Sequence, residues 1–203
     1  MYQDYMSDLK SIANFLFEVG ILSKTPRSGF HFLGSGSQSV AEHSFRTAFV
    51  GYTLAMMDGQ VDSGKVIKMC LVHDLAEGRV SDLNYVHQKY TKRFEEKAIG
   101  ELAATLPFGE DLKQSFLEHE ERLTKEALYV KDADNIEWIL SLKEQVDIGN
   151  TRAKEWIDLA VPRLKTEQGR ELVKQILETD SNEWWFGDGK DEWWVNRTGP
   201  VSA

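Results

Sequence analysis

The sequence predicts an all-α fold, a single globular helical bundle followed by a tryptophan-rich C-terminal extension. Prolines are few, no run of residues alternates between apolar and polar, and apolar residues recur at helical spacing along most of the chain. A chain of 203 residues is long enough for one sizeable domain and short for two. We therefore expect one domain over residues 1–180 and an extension over residues 181–203.

Helical spacing and end signals place most of the predicted elements. Ser39-Val40-Ala41-Glu42 is a capping-box pattern that predicts the start of a helix. Residues 22–38, rich in glycine and containing a proline, predict a long loop, and residues 79–90 look irregular. The predicted helices cover residues 7–21, 40–57, 64–77, 92–106, 110–122, 125–148, 151–164 and 167–178.

Four of the six tryptophans lie in the extension, as Trp184, Trp185, Trp193 and Trp194. Indoles combine a large apolar surface with one polar atom, which favours packing at contacts. We expect these side chains to pack on the helical body or on a partner subunit, and a role at a substrate site is the alternative.

Charge and composition exclude several classes of partner. A net charge of −9 argues against a nucleic-acid polymer, because phosphate backbones bind basic surfaces. It leaves open a small phosphorylated substrate, because a bound cation can reverse the charge locally. No apolar stretch predicts a membrane helix, and the first ten residues lack a signal-peptide pattern. A single cysteine, Cys70 in an apolar run, completes the expectation of a cytoplasmic protein.

Polar residues interrupt three otherwise apolar helical patterns. His73 and Asp74 lie within MCLVHDLAE, and His43 lies one turn into SVAEHSFRTAF. In YVKDADNIEWIL the spacing predicts that Asp134 faces inward and Asp132 outward. An inward-facing histidine is commonly an ordinary hydrogen-bonded core residue. The joint pattern instead favours a shared cation, which compensates for buried polar groups that are costly alone.

The predicted ligands of one divalent metal ion are therefore His43, His73, Asp74 and Asp134. Four protein ligands leave two octahedral positions for water and a phosphate oxygen, as a catalytic site requires. Imidazole and carboxylate ligands suit Mn, Co, Fe, Mg, Ni or Zn, so the ligand types do not identify the metal.

The order of His43, His73-Asp74 and Asp134 resembles the HD-domain superfamily of metal-dependent phosphohydrolases. The segments SVAEHSFRTAF, LVHDLAEGRVSDL and YVKDADNIEWIL are similar to the 5′-deoxynucleotidase subgroup, which cleaves deoxynucleoside monophosphates. This resemblance covers about residues 6–150; beyond it only helical character matches.

The resemblance implies roles for three further residues. Glu77 matches the position that activates the attacking water, and its spacing from His73 and Asp74 independently predicts the same helix face. Asp82 matches a catalytic position on the substrate side, and Arg27 one that binds the substrate phosphate. Phe30 is the nearest aromatic residue to the place where some members carry a tryptophan near the sugar, which is a departure.

Several alternatives remain open. His119 is a candidate for a further ligand, although its glutamate neighbours favour an exposed acidic face. The same site would also suit nucleoside di- or triphosphates, alarmones or cyclic nucleotides. A different class of protein, a non-catalytic metal-stabilised interaction module, would use the tryptophan tail to recruit a partner. The family and the amphipathic helices favour a homodimer.

Overall fold

The computed structural model describes residues 8–187, and within them it confirms the all-α prediction. No β-strand is present in this range; Pro26 and Ser39 form one isolated antiparallel bridge. None of the helices in the described range is both long and apolar enough to span a membrane. The helices are α1 (Leu9–Val19), α2 (Val40–Asp58), α3 (Ser63–Val72), α4 (Glu77–Val80), α5 (His87–Tyr90), α6 (Glu95–Ala103), α7 (Gly109–Glu121), α8 (Lys125–Asp147), α9 (Thr151–Ala160), α10 (Glu167–Glu178) and α11 (Glu183–Phe186). Short 3₁₀ segments cover Gly20–Ser23, Ser28–Phe32 and Val161–Arg163.

Side-chain caps fix where the long helices begin. Ser39 and Glu42 form the predicted capping box at the start of α2, with the Glu42 carboxylate accepting from the Ser39 backbone N–H. Asp62 and Thr124 accept from backbone N–H groups in the first turns of α3 and α8. Gly59 ends α2 with a left-handed φ of 69°. These ends set the register in which the polar residues of each helix reach the interior.

Helix α8 forms the centre of the bundle and packs against α2, α3, α7, α9 and α10. The main core contains fully buried residues of α2, α3 and α8, including Leu54, Cys70, Ile136 and Ile139. Helices α2 and α3 come close at Gly51, where a Cβ atom would lie 2.6 Å from the Cys70 sulfur. The tight packing of these three helices brings their polar residues to a common point.

The structure corrects the prediction for residues 64–77. Helix α3 ends at Val72, the following residues form turns, and Glu77 begins the separate short helix α4. His73 keeps helical backbone angles, and after it the N–H groups of Leu75 and Glu77 bond to carbonyl groups three residues back, so the chain tightens into turns around Asp74. The predicted helix over 92–106 is also shorter, as α6 begins at Glu95.

Asp132 was predicted to face outward, and this is wrong. Its carboxylate is fully buried and accepts hydrogen bonds from the backbone N–H groups of Lys165 and Thr166, at 2.8 and 2.7 Å, and from the Thr166 hydroxyl at 2.6 Å. Asp132 therefore fixes the connection that precedes α10. The role of Asp132 is structural, although it lies only two residues before the candidate metal ligand Asp134.

The extension is described only as far as Gly187, so Trp193 and Trp194 lie outside the described residues. Trp184 is 86% exposed, while the Trp185 indole donates a hydrogen bond to Asn182. The Ser181 N–H donates to Asp147 at the end of α8 and ties the start of the extension to the body. The domain boundary at residue 180 and the packing of the four indoles stay predictions.

Candidate active site

Helices α2 and α8 and the turn after α3 bring the four predicted ligands together. The Nε2 atom of His43 lies 3.3 Å from His73 Nε2, 3.4 Å from Asp74 Oδ2 and 3.3 Å from Asp134 Oδ1. His73 Nε2 lies 3.2 Å from Asp74 Oδ2. Ligands at about 2.1 Å from one ion and at right angles to each other lie about 3 Å apart. The spacing and the two-nitrogen, two-oxygen donor set therefore fit one divalent cation.

Hydrogen bonds orient both candidate histidine ligands. His73 Nδ1 lies 2.7 Å from the Cys70 carbonyl oxygen, which makes Nδ1 the donor and leaves Nε2 free to bind a cation. His43 Nδ1 lies 2.5 Å from Glu137 Oε2, and both side chains are fully buried. A carboxylate behind a histidine ligand fixes the ring and increases its basicity, as in many metal sites.

Glu137 is a candidate functional residue that the sequence reasoning missed. Its carboxylate accepts from Gln38 at 2.6 Å, from Arg46 Nε at 2.9 Å and from Ser141 at 3.2 Å. Burial opposes ionisation of Glu137, yet His43, Arg46 and Gln38 together lower its pKa to about 2. The available signal was its position, three residues after Asp134 and thus on a neighbouring part of the same helix face.

The charges around the cluster match a site built for a cation. Burial disfavours the charged form of His43, yet Asp134 and Glu137 raise its pKa to about 9. Burial acts against ionisation of Asp134 as well, but Lys131, at 2.6 Å, and His43 hold its pKa well below the usual range. Surplus negative charge is thus concentrated where a divalent cation would lie, and His43 would lose its proton on binding one.

Arg27 reaches the cluster from the loop before α2. One of its terminal nitrogens lies 3.4 Å from Asp74 Oδ2 and 3.3 Å from Asp82 Oδ2, while its Nε atom is buried without a partner among residues 8–187. Asp82 also accepts from the Ser28 N–H at 3.0 Å and from the Ser28 hydroxyl at 3.1 Å. Asp82 therefore holds the loop that presents Arg27 to the cavity.

Glu77 lies in the same cavity although it begins a different helix from the one predicted. It is 4% exposed; its Oε1 atom pairs with Arg93 at 3.2 Å, and its Oε2 atom is buried without a partner in the described part of the chain. Burial, followed by the charges of Asp74 and Asp82, raises the pKa of Glu77 to about 10. A carboxylate destabilised in this way readily accepts a proton.

His119 was expected on an exposed acidic face, and this is wrong. Its ring is 3% exposed, lies 5.6 Å from the His73 ring between centroids and lines the cavity. The Nδ1 atom of His119 has no hydrogen-bond partner within the described range. The cluster of mutually close ligand atoms contains His43, His73 and Asp134 and includes neither Asp74 nor His119. Asp74 Oδ2 nevertheless lies within 3.4 Å of a ring nitrogen of both His43 and His73, whereas His119 contacts His73 only through its ring. His119 therefore packs beside a ligand and is not placed as one.

These groups surround one cavity of about 330 Å³, which is within the range for small-molecule sites. His73, Asp74 and Asp134 line it together with Arg27, Glu77 and Lys131, and we call this part the inner end. Tyr85 and Trp138 also line it, and we call their part the outer end. Charged groups of both signs at the inner end suit a phosphorylated ligand held beside a cation.

Comparison with known proteins gives the same class of protein as the sequence motifs. The family model described as the HD domain matches residues 19–176, most of the chain, and this protein belongs to that family. The match confirms the resemblance to the HD-domain superfamily. It also extends past residue 150, where only helical character was expected to agree.

The curated relatives place the chain more narrowly. It is 30% identical to the 5′-deoxynucleotidase HDDC2 of Bos taurus over 183 residues, which cover 85% of this chain and 87% of that protein. A 5′-deoxynucleotidase of Schizosaccharomyces pombe is 32% identical over 66% of this chain and 72% of its own length. A conserved hypothetical protein from Pyrococcus furiosus has a similar structure, with a TM-score of 0.70 and 29% identity over 82% of this chain and 99% of that one.

Proposed function

We propose that this protein is a metal-dependent phosphohydrolase that removes the 5′-phosphate from nucleoside and deoxynucleoside monophosphates. The observation that carries the proposal is the convergence, at one cavity, of four ligand-type side chains and an arginine with a carboxylate oxygen that is buried without a partner among residues 8–187. The 5′-deoxynucleotidase relatives support the same substrate class. His43, His73, Asp74 and Asp134 are the proposed ligands of the ion.

A divalent cation at these ligands would supply electrostatic stabilisation of the phosphate and lower the pKa of an attacking water. Glu77 is the proposed general base, because its Oε2 atom has no partner among the described residues and its pKa is raised. A bound cation would bring this pKa down towards neutral pH, so that the carboxylate would be ionised and able to accept a proton. Arg27 is the proposed phosphate ligand. Its guanidinium group now pairs with Asp74 and Asp82, and it would pair with the phosphoryl oxygens of a bound substrate.

Two further side chains support this arrangement. Asp82 keeps the Arg27 loop in place through Ser28, so its proposed catalytic contribution includes positioning the phosphate-binding group. Lys131 adds a second positive charge at 2.6 Å from Asp134. The chain therefore provides two positively charged side chains near the proposed phosphate position and one proton acceptor for the water, which suits hydrolysis of a phosphomonoester.

A panel of substrates and metals tests this proposal. Phosphate release is measured from deoxyadenosine mono-, di- and triphosphates and from a cyclic nucleotide, after chelation and after addition of Mn²⁺, Co²⁺, Mg²⁺, Fe²⁺, Ni²⁺ or Zn²⁺. The expected result is metal-dependent release from the monophosphate. Release confined to the di- or triphosphate would replace the proposed substrate, and the absence of any hydrolysis would favour a binding module.

We also propose that the protein acts as a homodimer in the cytoplasm. Helix α2 leaves Phe45 and Phe49 exposed, with ring centroids 5.1 Å apart, and Met56 continues this apolar surface. Cys70 is a free, buried thiol, which is compatible with a reducing compartment. Light scattering of the protein and of Phe49→Lys tests the dimer: the substitution should give a monomer, and a monomeric unsubstituted protein would contradict it.

A further inference from the structure

The cavity has an aromatic outer end that the proposed chemistry does not use. Trp138 follows Asp134 by four residues in α8, a rise of about 6 Å along the helix. Tyr85 follows Asp82 by three residues, outside any helix. Both side chains line the cavity; Trp138 is 7% exposed and Tyr85 is 45% exposed. Two chain segments thus lead from a charged residue at the inner end to an aromatic ring at the outer end.

Contacts from behind hold both rings in place. Trp156 packs against each of them, with centroid distances of 6.2 Å to Trp138 and 6.0 Å to Tyr85. Phe30 packs edge-on against Trp138 at 5.2 Å. At Gly29 a Cβ atom would lie 2.9 Å from the Trp138 ring, so the Arg27 loop lies directly against the indole. The rings form a pre-organised surface next to the proposed phosphate site.

The amide side chains at this end already form hydrogen bonds with backbone groups of the protein. Asn84 Oδ1 accepts from the backbone N–H groups of Val86 and His87, at 3.0 and 2.9 Å. Gln88 donates to the Leu83 carbonyl at 2.6 Å, and Asn135 donates to the Lys131 carbonyl at 2.8 Å. Part of the hydrogen-bonding capacity of these amides is therefore engaged within the protein, whereas the Tyr85 side chain is half exposed.

We propose that Tyr85 and Trp138 form a nucleobase-stacking subsite. This inference rests on the proposed function: with the 5′-phosphate at the inner end, one helical turn along α8 leaves room for the sugar and brings the base to the rings. Stacking of a base on an aromatic side chain changes binding by about tenfold or more on alanine substitution. Tyr85 is the better residue to test, because it is half exposed and is not required by the core.

The test compares a nucleotide with its baseless analogue. Calorimetric titrations in the Glu77→Gln background, with Mn²⁺ present, measure the Kd of 2′-deoxyadenosine 5′-monophosphate and of 2-deoxyribose 5-phosphate. The nucleotide should bind at least about tenfold more tightly than the analogue. Adding Tyr85→Ala should weaken the nucleotide about tenfold and the analogue less than about twofold, whereas Tyr85→Phe should restore nucleotide binding.

Tyr90→Ala is the matched control, because Tyr90 is 84% exposed and does not line the cavity. It should change neither Kd. Equal Kd values for nucleotide and analogue before substitution, or an equal loss for both in Tyr85→Ala, would overturn the subsite. Selective binding of the nucleotide without phosphate release by the unsubstituted protein would instead overturn the proposed function and leave the subsite in place.

Discussion

The two ends of the cavity differ in how firmly the fold holds them. At the inner end His43 and Glu137 are fully buried and joined to each other, and the ligands come from helices or from the turn that ends α3. At the outer end Trp138 is buried on α8, whereas Tyr85 lies in a turn and is half exposed, so only one of the two rings is held as firmly as the ligands. Metal chemistry requires side chains fixed to within a fraction of an ångström, while stacking on a flat base tolerates more freedom. The difference indicates that the chemistry is built into the bundle and recognition is added at its edge.

The largest effect is expected for a ligand at the inner end. Asp134→Asn should abolish metal binding and lower phosphate release by more than about a thousandfold, because a charged ligand is replaced by a neutral one. Metal content after gel filtration and phosphate release check this prediction.

Asp132→Asn provides the contrast two residues away on α8. It should keep the metal and lose about 1–3 kcal/mol of stability, because the buried Asp132 oxygens accept hydrogen bonds from Lys165 and Thr166. Full metal occupancy in Asp134→Asn would remove Asp134 from the ligand set.

The next effect separates chemistry from metal binding at the same end. Glu77→Gln should keep the metal and lower kcat by about 10²–10⁴-fold, since the amide cannot accept the proton of the attacking water. Metal analysis and steady-state kinetics on the same preparation measure both quantities. A turnover equal to that of the unsubstituted protein would show that another group is the base.

A smaller effect is expected for Glu137, which contacts the candidate ligand His43 and not the ion itself. Glu137→Gln should weaken metal affinity by about 10–100-fold, because His43 loses the carboxylate that orients it. Activity should return at saturating metal concentration. Glu144→Gln is the control: Glu144 also pairs with Arg46, and no bond joins it to His43. Equal metal affinities for the two variants would show that Glu137 has no role in metal binding.

The inner end could be predicted from the sequence further than the outer end. Asp74 and Asp134 interrupt apolar patterns, and a charge at such a position requires a partner, so the sequence pattern is informative by itself. Local capping rules likewise placed the start of α2 at Val40. The same reasoning failed for Asp132, because its partners lie more than thirty residues away in a connection whose course no local pattern describes.

The outer end depends on contacts between distant segments. Tyr85 and Trp138 come from separate parts of the chain, and Trp156 packs against both of them. A tyrosine in an irregular stretch and a tryptophan in a helix each have ordinary structural explanations. Helix α3 shows a related limit: a helical pattern continued past His73, whereas the ligand geometry required a turn.

The smallest expected effect concerns stability, and it again tests how strongly the inner end is constrained. The folded-state pKa of Glu77, about 10, lies above its ordinary value of 4.5, so the metal-free folded protein holds a proton that the unfolded chain releases. The contribution of this protonated carboxyl group to the free energy of unfolding is fully present below pH 4.5 and is lost as pH rises towards 10. Glu77→Gln cannot ionise, so it should be more stable than the unsubstituted protein at pH 8, by at least about 1 kcal/mol, and close to it near pH 4. Urea unfolding of both proteins in the presence of a chelator measures the difference. A stability difference that does not change with pH would show that the pKa of Glu77 is not raised in the folded protein. The raised pKa would then no longer explain why Glu77 suits the role of base.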